Sequence, residues 1–315
     1  MRRFARAGTN CRVSTVGMGP SDVLTLDRMR RDFQEFARLA EAPYRAAVVD
    51  PVLETLEDLW TTSVVGVRTT THPVPRRRLN VRLVNAGVEA DPVSRLRAAG
   101  LLEFVGHPME RLLTEIPAAV PVFFGVDVDV AHGVEKIWMM FPELIAVDRV
   151  LAFPGMPEAA RAHAAHLHRY GGEIAIMALD FGNRTLNLYS QVLAPGVVTP
   201  ADITTILSDL AFVAATPEEL ALLDRTFNLY RTFSWNSPRM QRICFPVRYE
   251  AARFPTHLDP VLARFVAAAP HATTGPRNFT FYTAYGPTDR YYKIQAEYTA
   301  AQPATFPAGA IPQIN

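Results

Sequence analysis

Ten stretches of this 315-residue chain alternate apolar and polar side chains with a period of two, and they come in pairs. They lie at 62–70, 78–86, 121–131, 134–142, 173–181, 184–191, 225–233, 239–249, 277–285 and 290–299. Connectors as short as Gly182-Asn183 or Asn236-Ser237-Pro238 join the members of a pair, which makes each pair an antiparallel hairpin. Between the pairs run helical segments, expected near 22–41, 50–60, 91–101, 107–115, 156–169, 200–212, 216–223 and 259–268. Their starts carry a capping residue followed by Pro, favoured at the first helical position. Asp50-Pro51, Asp91-Pro92, Thr199-Pro200, Thr216-Pro217 and Asp259-Pro260 fit. Thr216 through Glu219 also reads as a capping box. Helix, hairpin, helix recurs about five times, unlike the single strand–helix alternation of a parallel sheet. An antiparallel sheet of about ten strands curls or closes, and closure removes its edges. The expected fold is therefore α+β: a ten-stranded antiparallel barrel of repeated α-β-β-α units, helices outside and a solvent-filled lumen within.

The period of two then sorts side chains by face. The helices need an apolar sheet surface, which the aliphatic positions supply, so the polar and aromatic positions turn inward. "RYYKIQAEY" (290–298) puts Tyr291, Lys293, Gln295 and Glu297 on one face. "EKIWMMFP" gives Lys136, Trp138 and Met140; "RTLNLYSQ" gives Thr185, Asn187 and Tyr189; "FNLYRTF" gives Asn228 and Tyr230. "MQRICFPV" gives Arg242 and Cys244; "LNVRLV" gives Asn80 and Arg82. Strand 173–181 offers Glu173, Ala175 and Met177. Arg68 is a further inward cation. A one-layer sheet with its polar face in water is the competing reading, but five strands share the pattern with Tyr and Trp interleaved. Ten strands enclose a ligand cavity, since eight suffice for one small ligand. Inward cations left unpaired would cost several kcal/mol each, and few inward acids are evident. A polyanionic ligand, a phosphate in particular, would offset that cost through charge-assisted hydrogen bonds.

Net charge of +1 carries no basic excess for nucleic acid. No apolar run reaches the roughly 18 residues of a membrane span. Cys11 and Cys244, the only two cysteines, share no metal-ligand spacing, so a reducing cytoplasm is expected. Residues 1–20 read as a loose basic leader, 21–299 as one barrel domain and 300–315 as an irregular tail. A monomer is expected.

The same segments resemble the ABBA-type aromatic prenyltransferases, soluble bacterial enzymes of aminocoumarin and naphthoquinone pathways. The resemblance spans about residues 21–299. It is carried by "GHPMERLL" (106–113), "EKIWMMFP" (135–142), "ALDFGNRTLNLY" (178–189), "FNLYRTFSWNSPRMQRICFPV" (227–247) and "APHATTGPRNFTFYTAYGPTDRYYKIQAEY" (269–298). It implies that Lys136, Asn187, Tyr230, Arg242 and Lys293 hold the diphosphate of an allylic donor, with Tyr189 beside them. Arg68, Arg82 and Thr185 join that set from the face pattern. Some relatives carry Asp where this chain has Asn80, to hold Mg²⁺. Asn cannot supply that carboxylate and Arg82 follows two residues on, so no metal and no cofactor are expected. Trp138 resembles the branch that uses the five-carbon dimethylallyl donor.

The implied reaction is electrophilic aromatic substitution on an electron-rich aromatic small molecule. Cations would stabilise the departing diphosphate, and the rings of Tyr189, Tyr230, Tyr291 and Trp138 would shield the allyl cation. Glu297, or water, would take the proton. Trp138, Ala175, Met177, Asn228, Cys244, Tyr291, Gln295 and Glu297 would line the prenyl and acceptor cavity. The lack of a cation on strand 173–181 disfavours a small aromatic acid. A geranyl donor, or a non-catalytic carrier of an amphipathic ligand, are the alternatives; carriers are lined with few charges. His163, His166 and His168 read as a solvated helix face. Asp127 and Asp129 share a strand face, as a metal pair would, or pair with a neighbouring cation.

Overall fold

A computed structural model describes residues 24–84, 90–103, 106–190 and 194–299. The leader, the tail and Cys11 lie outside the described residues. Ten strands form one closed antiparallel barrel: β1 (Val64–Thr70), β2 (Leu79–Val84), β3 (Phe123–Asp129), β4 (Gly133–Ala146), β5 (Glu173–Asp180), β6 (Thr185–Ser190), β7 (Tyr230–Ser234), β8 (Arg242–Glu250), β9 (Asn278–Tyr285) and β10 (Arg290–Glu297). Neighbours in sequence are neighbours in the sheet, and β10 closes on β1 with Arg68 opposite Gln295 and Thr70 opposite Lys293.

The helices are α1 (Leu26–Ala40), α2 (Ala46–Thr55), α3 (Glu57–Thr62), α4 (Pro92–Ala98), α5 (Pro108–Ala119), α6 (Val147–Leu151), α7 (Glu158–Ala162), α8 (Ala164–Arg169), α9 (Pro200–Asp209), α10 (Pro217–Leu222) and α11 (Pro260–Ala268). Their apolar faces and the outward faces of the strands share one core. In α1, Met29, Phe33, Phe36 and Ala40 recur at helical spacing and are buried. Phe33 meets Trp60 and Tyr298, and Phe36 meets Phe265, with ring centroids 5.6–6.3 Å apart. Each such ring contributes about 1.5–3 kcal/mol by leaving water.

Four of the five cap–Pro signals start helices, with Asp91, Thr199, Thr216 and Asp259 accepting from first-turn amides. Asp50-Pro51 does not: α2 begins at Ala46, and Pro51 sits inside it. The capping box of α10 does more than cap. Glu219 is buried and also accepts from Tyr285 and Tyr292 of β9 and β10 while pairing with Arg290. Thr216→Ala is expected to cost about 1 kcal/mol, read as a lowered denaturant midpoint.

Two further expectations fail, one for a strand and one for a helix. The 225–233 strand is shorter, because only Tyr230–Ser234 pairs with β6 and β8. The histidine run is not a solvated face. His168 is exposed beside Asp148, but His166 turns toward the barrel and accepts from Arg231 Nε at 3.3 Å. Burial pushes the His166 imidazole down to about 3, so it stays neutral. Arg231 itself is fully buried on the outward face of β7, donating to Ser190 and to the carbonyls of Tyr170 and Leu229.

Candidate active site

The five hairpin turns lie at one rim of the barrel, because every odd strand runs toward that rim and every even strand away from it. Side chains in the opening residues of β2, β4, β6, β8 and β10 are therefore gathered at this rim. A cavity of about 790 Å³ opens here. Of the residues expected to hold diphosphate, Arg68, Lys136, Thr185, Asn187, Tyr189, Tyr230, Arg242 and Lys293 line it, and Tyr291 joins them.

Lys293 Nζ donates to Tyr230 OH at 2.5 Å and lies 5.0 Å from that ring and 5.4 Å from Tyr291. Burial, reinforced by Arg68, Lys136 and Arg242 nearby, pulls its ammonium down to about 7. Thr232 donates to Asn187 Oδ1 at 2.6 Å, which leaves the Asn187 amide NH₂ as a donor. Arg242 stacks on Tyr291 at 4.7 Å, and His72 packs against the same ring at 3.9 Å. Below the rim, Trp138, Tyr189, Tyr230, Cys244 and Tyr282 form an aromatic shaft with Ile176, Ala178 and Ala284. Tyr189 stacks on Tyr230 at 4.8 Å and meets Trp138 at 5.0 Å. Burial raises both phenols, so they remain protonated donors.

The expectation of unpaired cations is overturned for four of the five, Lys293 being the exception. Lys136 pairs with Asp180 at 3.0 Å, Arg242 with Asp289 at 3.4 Å, and Arg68 and Arg82 share Asp127 at 3.4 and 2.7 Å. Asp127 pairs with neighbouring cations, one of its two expected roles. Asp180 and Asp289 are hidden by sequence distance, and a bulge beside Asp127 puts Glu135 out of phase, so it also reaches the cavity. Asn80 donates to Glu135, and Arg78 pairs with it at 3.1 Å. Asp127 and Asp129 do not act as a free pair: Asp129 Oδ1 accepts the amides of Ala131 and His132.

Arg82 does not line the rim cavity. It donates to Asp127 and to Gln295 Oε1, each at 2.7 Å, and lies 4.4 Å from the Trp138 ring. It therefore braces the shaft. Tyr282 donates to the same Gln295 oxygen at 3.2 Å. Further along the lumen, Glu297 is held by Arg248 at 2.9 Å, so its oxygens are already engaged by a guanidinium. Ala175 and Met177 are misplaced. A register shift between Ile174 and Ile176 swaps the faces of β5, so Ile176 and Ala178 line the shaft while Met177 joins the outer core. Asn228 is buried just before β7 rather than on it, and does not line the rim cavity. Strand 173–181 brings no cation inward, but Arg248 does from β8, at the same phase as Arg242 and Cys244. The reason for disfavouring an acidic acceptor therefore falls away.

The architecture is similar to solved prenyltransferases. The apo form of prenyltransferase PriB aligns with a TM-score of 0.56 and 11% identity, covering 89% of this chain and 98% of that one. The 6-dimethylallyltryptophan synthase of Micromonospora olivasterospora, solved with DMASPP and Trp, aligns with a TM-score of 0.52 and 14% identity over 89% and 100% of the two chains. In sequence, the chain is 27% identical to 5,10-dihydrophenazine-1-carboxylate 9-dimethylallyltransferase of Streptomyces anulatus, covering 87% of this chain and 94% of the relative. It is 27% identical to the flaviolin linalyltransferase of Streptomyces virginiae over 84% and 89%. The furaquinocin biosynthesis prenyltransferase of Streptomyces sp. (strain KO-3988) is 26% identical over 84% and 87%. Among the described residues no helix is long and apolar enough to cross a membrane. The family described as "Aromatic prenyltransferase Orf2" matches residues 24–306, which contain the whole barrel and its helices, and the chain belongs to this family of aromatic prenyltransferases.

Proposed function

We propose that the enzyme moves a dimethylallyl group from dimethylallyl diphosphate to an electron-rich aromatic small molecule without a metal ion. The observation that carries this reading is the gathering of Lys136, Asn187, Tyr230, Arg242 and Lys293 at one rim, directly above an aromatic shaft. The diphosphate binds at the rim with its oxygens toward these donors. The allyl tail enters the shaft between Tyr189, Tyr230 and Trp138. As the C1–O bond breaks, its electron pair leaves with the diphosphate, and the fixed cations stabilise that charge. The ring faces stabilise the allyl cation left behind. An aromatic carbon of the acceptor attacks C1, and the ring proton passes to water or to the departed diphosphate, since Glu297 is engaged by Arg248. The acceptor lies further along the lumen, beside Gln295, whose oxygen is fixed by Arg82 and Tyr282.

Metal independence is supported by the state of the acids. Asp127 serves two arginines, Asp129 and Glu135 accept from amides, and Asp180 holds Lys136 and Asn183. No group of three or more His, Cys, Asp or Glu among the described residues is placed to hold a metal. The test is calorimetric titration of a non-hydrolysable dimethylallyl diphosphate analogue in excess EDTA. Micromolar binding is expected, weakened about tenfold or more in Arg242→Ala by loss of a charge-assisted contact. Binding that appears only with Mg²⁺ would overturn metal independence, and none under either condition would overturn the donor.

A further inference from the structure

Arg184 occupies the turn between β5 and β6 with φ of 50°, in the left-handed region. Gly or Asn adopts that conformation more readily than Arg. Among the described residues the two other non-glycine residues with positive φ are Glu41 and Ala211. Glu41 has a local reason, since its carboxylate fastens Arg77 and Arg264. Arg184 has none: among the described residues its guanidinium has no ion-pair or hydrogen-bond partner, although it lines the rim cavity. Arg76, in the short 3-10 turn between β1 and β2, is likewise without one and lines the same cavity. Its neighbours differ, because Arg77 pairs with Glu41 and Arg78 with Glu135. Two exposed, uncommitted guanidiniums thus stand on different hairpins around one opening, outside the ring formed by Lys136, Arg242 and Lys293. The field of Arg76 reaches the cavity, where after burial it helps hold His72 neutral.

We infer that Arg76 and Arg184 form an outer capture site for the diphosphate group, drawing the donor in and holding the released diphosphate before it leaves. This rests on the reading of the rim as a diphosphate site. Charges at an opening of this kind raise association rates, and salt screens them. Unlike Arg242 and Lys136, neither has to surrender a carboxylate before meeting a phosphate.

Inorganic diphosphate is the probe, titrated at low and at high salt into the full-length protein and into Arg184→Asn, Arg184→Lys and Arg76→Ala. Arg184→Asn removes the charge while suiting the turn, so its melting temperature should match or exceed the parent's. Its affinity should fall about three- to tenfold at low salt, and the gap should close at high salt. Arg184→Lys keeps the charge and should keep most of the affinity. Arg76→Ala should behave like Arg184→Asn. Unchanged affinity in both Arg184→Asn and Arg76→Ala, with the parent binding well, would overturn the capture site and leave the inner diphosphate site standing. No binding by the parent would overturn the diphosphate site itself.

Discussion

Lys293→Met is expected to lower turnover at least about 10²–10³-fold, the scale for losing one preorganised charge at a developing anion, while making the protein more stable. The two effects have one origin. Lys293 is buried among cations with only a tyrosine hydroxyl as its direct partner, and its ammonium titrates near 7 rather than in the ordinary lysine range. Each unit of depression corresponds to about 1.4 kcal/mol, so ionised Lys293 costs the empty protein on the order of several kcal/mol at or below neutral pH. That cost is fully present below about 7, where the folded protein keeps the proton against the environment. It is relieved as pH rises toward the unfolded value of about 10.4, because the unfolded chain then binds the proton that the folded chain has lost. The melting temperature of Lys293→Met should exceed the parent's by at least about 4 °C at pH 7, and the gap should narrow at pH 9.

Diphosphate brings negative charge to Lys293, whose direct partner is a tyrosine hydroxyl and not a carboxylate, so binding restores the Lys293 proton. Above pH 7 the donor analogue should bind with proton uptake, approaching one proton at about pH 8. Calorimetry in buffers of different ionisation enthalpy reads this directly. Uptake should vanish in Lys293→Met. A parent that binds without uptake, or a Met variant less stable than the parent at every pH, would show that Lys293 is not a strained cation awaiting an anion. The combination of lost activity and gained stability separates this role from a structural one, since a structural lysine would lose both.

The strand faces were legible because a period of two survives wherever a strand is regular. Lys293, Tyr291 and Gln295 on β10, and Tyr189 and Asn187 on β6, follow from it without tertiary information. It failed where a single residue is added: a bulge moved Glu135 into the cavity and a register shift turned Met177 away from it. Nothing in the local composition marks either irregularity. Charge pairing was hidden for another reason. Arg68 and Asp127 are 59 residues apart, and they meet because β1 and β3 flank β2 and both pair with it. The caps were legible because an Asp or Thr before Pro acts within one turn. At Asp50-Pro51 tertiary packing carries α2 one turn further back. Arg184 opens the 184–191 stretch on its outward phase, but it lies in the turn before β6, where no period applies.

The pairing at Asp127 leads to the largest stability effect. Its carboxylate is fully buried and Oδ2 accepts from both Arg82 and Arg68, while Arg82 also holds Gln295 and lies over Trp138. Burial opposes ionisation, and Arg82 and Arg68 overcome it, holding the carboxyl below the usual range. Asp127→Asn keeps the shape but leaves two guanidiniums facing one neutral amide. The expected cost is about 3–5 kcal/mol, the scale for breaking a buried pair from one side. Because the folded carboxyl is depressed, its contribution is present above the unfolded value of about 3.9 and is lost as pH falls through the folded one. Acid unfolding should therefore erase most of the difference between parent and variant. The double variant Asp127→Asn, Arg82→Gln should recover part of the loss, since the deeper cation goes with its partner and Arg68 stands at the cavity where water reaches it. Denaturant midpoints for the four proteins decide the matter. Strict additivity would mean that Arg82 and Asp127 do not act as a unit. A recovery of about 1 kcal/mol or more would show that the ion pair braces the shaft on which Trp138 and Gln295 depend.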